Sequence, residues 1–88
     1  MDQNRNEKIY DYADKFINLA NDMAKADNSG DVGVALRFAA ARYCAYEASM
    51  RTNNLVEDRE QQVQDFVKAF TEMLHMNIDD YVKIQAQK

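Results

Sequence analysis

The chain has 88 residues, of which 47% are apolar and 30% charged, with a formal net charge of −4. This is the composition of one folded domain rather than a disordered chain, and the length exceeds the ~40 residues below which small chains need staples. It argues against nucleic acid as a partner, because the eleven Lys and Arg are scattered through an acidic chain and counterion release needs a basic surface.

A membrane span needs ~20 consecutive apolar residues, and no stretch approaches that. The polar start, Met1 to Lys8, predicts no secretory signal. The single cysteine, Cys44, forms no internal disulfide and suits a reducing compartment. A cytoplasmic location and no membrane partner are the expectations.

Proline is absent, and the only glycines are Gly30 and Gly33. Helix breakers are therefore confined to one junction, and the rest of the chain is free to be helical. The first helix is predicted over about residues 6–27. Ile9, Tyr12, Ala13, Phe16, Leu19, Ala20 and Met23 recur at three- and four-residue steps on one stripe. Gly30 is suited to a left-handed C-terminal cap, and Asp31 to the N-cap of the next helix.

The second helix is predicted over about residues 32–52. One stripe is Val32, Leu36, Ala39, Tyr43, Tyr46 and Met50, and a second on nearly the opposite side is Val34, Phe38, Ala41, Ala45 and Ala48. A helix apolar on two sides is covered on most of its surface. Asn54 and Glu57 have the spacing of a capping box. The third helix is predicted over about residues 57–84 from Val63, Phe66, Val67, Phe70, Met73, Leu74, Ile78, Tyr81 and Val82. Asn77 has the makings of a fresh cap, and an uninterrupted helix is the reading taken. Short links make successive helices antiparallel neighbours. The fold class is thus all-α, an antiparallel three-helix bundle forming a single domain over 1–88. Phe16, Leu36, Ala39, Tyr43, Phe66, Phe70 and Leu74 are its expected core.

Three segments resemble a family of short proteobacterial proteins, domain of unknown function 3144. They are Tyr10 to Asn21, Phe38 to Tyr43, and Met73-Leu74 followed by Asn77 to Tyr81. The resemblance covers nearly the whole chain. It implies a bacterial, cytoplasmic, helical protein and brings no catalytic or binding residues.

The one local pattern with a chemical precedent is Glu72 and His75, three apart on a helix, as in carboxylate-bridged di-iron bundles. Such ligands must project into the core. At 100° per residue these two point away from the stripe of Phe66, Phe70, Met73, Leu74 and Ile78, so the expectation is a solvated face, no metal and no cofactor. Cys44 has no basic partner on its helix to activate it and reads as a packing residue. His75 has no nucleophile beside it, and no phosphate-binding loop is present. No catalytic constellation emerges, and the chain is not expected to be an enzyme.

The surplus of apolar helix surface points instead to an interaction or assembly module acting as a homodimer, with an unidentified protein partner as a further option. The interface candidates are Val34, Phe38, Ala41 and Ala45 on the second helix and Tyr10 and Ile17 on the flank of the first. Arg42 is a rim residue. Its pairing with a carboxylate, between helices or across a dimer, and a solvent-facing Arg42 both fit the sequence. The alternative function is binding of a small ligand or metal, near Tyr43 and Tyr46 or through Glu72 and His75.

Overall fold

The computed structural model describes residues 3–88; Met1 and Asp2 of the polar start lie outside the described residues. It has three helices, α1 (Gln3–Ala26), α2 (Asp31–Arg51) and α3 (Leu55–Ala86), so the all-α, three-helix class is the one expected. Each boundary falls within three residues of the predicted one.

The junctions show why the helices stop where they do. Gly30 has a φ of 95°, the left-handed conformation that costs glycine nothing. The carbonyl of Gly30 accepts from the Val34 N–H at 3.3 Å, closing the first turn of α2 one residue earlier than predicted. Asp31 is therefore not the N-cap but the first helical residue. Its own N–H is capped by Ser29 Oγ at 3.2 Å, and its carboxylate sits in the first turn, where the helix dipole favours negative charge.

At the second junction Asn54 is the N-cap, and its side chain accepts from the Glu57 N–H at 3.4 Å. Thr52 ties the link down. Its hydroxyl donates to Asp58 Oδ2 at 2.5 Å and accepts from the Asn54 N–H at 3.0 Å. Asn77 does not interrupt α3. Its side-chain amide donates to the Met73 carbonyl one turn back, at 2.8 Å, and the helix runs on for 32 residues.

The chain forms two units, one up to Tyr43 and one from Cys44 to Lys88. The first holds α1 and the start of α2. Its half-buried positions on α1 are Asn6, Ala13 and Ala20, with Val32 and Gly33 on α2. The α1 positions are seven apart and form one line along the helix. Two of the three are alanines, which let a neighbouring helix approach closely.

The second unit holds the end of α2 and all of α3. Ala48 is buried, with 5% of its surface exposed. Cys44, Glu47 and Thr52 on one side, and Asp58, Gln62 and Phe66 on the other, are half-buried. The Arg51 guanidinium lies 4.6 Å from the centre of the Phe66 ring, a cation–π contact between the end of α2 and α3.

The expected core is not what this packing encloses. Phe16, Leu36, Ala39, Tyr43, Phe70 and Leu74 are exposed, and Phe66 is half-buried. On α1 the physical reason is an offset. The line Asn6, Ala13, Ala20 follows one edge of the predicted stripe, through its two alanines, and misses its aromatic centre at Tyr12 and Phe16. The helix meets its neighbour over small side chains, which leaves the large ones to one side.

Candidate interaction surface

The proposed interface residues come from two elements. Tyr10 and Ile17 sit seven apart on α1, and hence on one line of that helix. Val34, Phe38, Ala41 and Ala45 sit at steps of four, three and four on α2, a spacing that keeps them on one side. All six are exposed, with Phe38 the most open of the large ones at 65%. Tyr10, Ile17, Val34, Phe38 and Ala41 belong to the first unit, and Ala45 to the second. α2 has little one-sided amphipathicity compared with α1 and α3, which agrees with the two opposite apolar stripes in its sequence.

Arg42 is exposed and has no ion-pair partner within the chain among the described residues. Ion pairs there include Lys25 with Asp22 at 3.5 Å and Arg59 with Glu60 at 3.6 Å. Both are open to water, where such pairs contribute little. Pairing of Arg42 with a carboxylate on another helix of the same chain is thus not observed. The cation that does reach an aromatic ring across a junction is Arg51, over Phe66. The available signal was a basic residue in the last turn of α2, close in sequence to the aromatic stripe of α3.

Glu72 and His75 are both exposed. No group of three or more His, Cys, Asp or Glu that could hold a metal ion is found among the described residues. Cys44 is a free thiol, half-buried. Tyr43 and Tyr46, the suggested pocket for a ligand, are exposed. A depression of about 430 Å³ lies elsewhere, at the turn between α1 and α2, lined among others by Ala20, Ala24, Asp27, Val32 and Gly33. No helix of the described residues is long and apolar enough to cross a membrane.

The electrostatic feature of that turn is Asp27. The Ser29 hydroxyl and then the Ser29 backbone N–H hold its carboxyl below the ordinary carboxylate range, the N–H at 2.9 Å from Asp27 Oδ1. Both bonds favour the charged form. A depressed folded-state value stabilises the fold above the usual carboxylate range, and the effect is lost as pH falls through the folded value. A carboxyl-detected NMR titration should place the Asp27 midpoint below the ordinary aspartate range. Ser29→Ala should raise it part of the way, since the backbone bond remains. An Asp27 midpoint unmoved in Ser29→Ala would mean that the hydroxyl plays no part.

Compared with known proteins, residues 9–82 match the family described as a protein of unknown function, DUF3144. No curated protein matches the chain. No solved structure matches it either.

Proposed function

This chain belongs to the DUF3144 family, and from its surface we propose that it is a non-enzymatic protein–protein interaction or assembly module, acting as a homodimer in the cytoplasm. The observation that carries this reading is the disposition of apolar side chains. Ala48 is the buried hydrophobic residue among the described ones, while Tyr10, Phe16, Val34, Phe38, Phe70 and Leu74 stand exposed beside many others. Soluble monomers rarely leave contiguous apolar patches beyond a few hundred Å².

Two-fold pairing is the commonest way to cover such a surface. The face of Val34, Phe38, Ala41 and Ala45 is the proposed contact, joined by Tyr10 and Ile17 and rimmed by Arg42.

Sedimentation velocity at micromolar concentration tests the reading. The expected result is a species of twice the 10.2 kDa chain mass. A single species at the chain mass across the accessible concentration range would overturn it.

A further inference from the structure

We infer that Asn28 is a site of spontaneous deamidation, and that Asp27 restrains the reaction by holding the backbone nitrogen that carries it out. Asn53 is the matching site at the second link. The inference goes beyond the proposed assembly role and does not depend on it, because each link is a local structure of the chain.

Deamidation needs an open carboxamide with a nucleophile beside it. The backbone nitrogen of the following residue gives up its proton to hydroxide and attacks the side-chain carbonyl carbon. The carboxamide C–N bond breaks, and its nitrogen takes a proton from water and leaves as ammonia. The five-membered imide so formed adds one water and opens to aspartate, or to isoaspartate, whose main chain runs through the former side chain. Helical dihedrals keep that nitrogen away from the carboxamide. Asn4, Asn6, Asn18, Asn21 and Asn77 are helical, and Asn54 caps α3 with its side-chain oxygen on the Glu57 N–H. Asn28 and Asn53 remain. Both are exposed and lie outside the helices, and Ser29, which follows Asn28, is too small to obstruct the attack.

Both nucleophiles are already engaged. At the first link the Ser29 N–H donates to Asp27 Oδ1 at 2.9 Å, and Ser29 Oγ accepts from the Asp31 N–H at 3.2 Å. At the second link the Asn54 N–H donates to Thr52 Oγ1 at 3.0 Å. In each case the side chain just before the asparagine takes the N–H just after it. An N–H bonded in this way loses its proton less readily, and its peptide plane is not free to turn toward the carboxamide. Asp27 is the stronger brake. Its bond is charge-assisted, and its carboxylate lies beside the nitrogen that must become an anion.

The experiment is peptide mapping by mass spectrometry of the full chain incubated at mildly alkaline pH, with parallel samples in concentrated urea. The ratio of unfolded to folded rate at each asparagine cancels the intrinsic effect of its neighbours. In the folded unmodified protein Asn28 and Asn53 should convert before the helical asparagines. The ratio at Asn28 should be at least about 10-fold, the size of a hydrogen bond to a charged group, and at Asn53 about 5-fold, for a neutral one. Asp27→Ala should abolish the ratio at Asn28 and leave Asn53 unchanged, and Thr52→Val should do the reverse. Asp27→Ser gives the first link a neutral hydroxyl acceptor like that of the second, and its ratio at Asn28 should fall between those of Asp27→Ala and the unmodified protein. Circular dichroism checks that each variant is folded.

A helical asparagine that converts first overturns the inference. So does an Asn28 ratio that Asp27→Ala leaves unchanged. Equal acceleration of Asn28 and Asn53 in Asp27→Ala also overturns it, because loss of the fold and not of the bond would then set the rate. Acceleration confined to the altered link, with Asp27→Ser intermediate, upholds it.

Discussion

Ala48→Asp is expected to unfold the unit formed by the end of α2 and α3. Ala48 is 5% exposed, and the side chains nearest it in sequence on that face, Cys44 and Glu47, are half-buried. An aspartate there is too short to carry its carboxylate out to water. It either stays charged without a partner or takes up a proton, and each is costly. The loss should reach at least about 3 kcal/mol, which for a chain this size lowers the thermal midpoint by roughly 12 °C or more. Ala48→Gly is the control. It opens no charge and should cost only about 1 kcal/mol in helix propensity. Thermal melting by circular dichroism is the measurement. An Ala48→Asp protein that melts with the unmodified one would show that α2 does not meet α3 there.

The second large effect is expected at Thr52. Its hydroxyl donates to the Asp58 carboxylate at 2.5 Å and accepts the Asn54 N–H at 3.0 Å. One small side chain thereby fixes both the link and the start of α3. Thr52→Val keeps the shape and removes both bonds, for a cost of about 2 kcal/mol, since hydrogen bonds to a charged group are stronger than neutral ones. The pair should also be coupled. In a cycle with Asp58→Ala, the double variant should lose less than the sum of the singles by at least about 0.5 kcal/mol. Urea melts of the four proteins measure this. Strict additivity would mean that the 2.5 Å bond contributes nothing to the folded state.

The helices themselves were legible because their punctuation is local. A chain without proline, with its glycines at one junction and an Asn–Glu spacing at the other, leaves little freedom for where helices begin and end. Gly30 took the left-handed conformation that its position implied. Asp31 illustrates the limit, because Ser29 is an equally good cap and lies two residues earlier. The Thr52 clamp left a weaker trace. A threonine two residues before an asparagine cap is the kind of side chain that bonds to nearby backbone, but its bond to Asp58 depends on how the link folds.

Packing was harder to read, and for a different reason. Periodicity says which residues share a side of a helix, not which side a neighbour chooses. On α1 the predicted stripe held Tyr12, Ala13, Phe16 and Ala20 together, and of these only Ala13 and Ala20 are half-buried. The same ambiguity governs the interface candidates. Val34 and Phe38 could be recognised as surplus to one helix face, and they are exposed, but no feature of the sequence names what lies against them. Arg42 shows the same limit: a long side chain at a stripe's edge fits an ion pair and solvent equally well, and it is exposed with no ion-pair partner among the described residues.

The open length of α3 bears on the lifetime of the protein in a cell. Beyond Phe66 that helix has no half-buried side chain, so opening from its far end uncovers little buried surface. Segments of this kind have the lowest local unfolding free energies, and proteases act on whatever fraction is open. The far end of α3 is therefore the expected first point of proteolytic entry, and a ligand or chain that covered it would slow that entry by mass action.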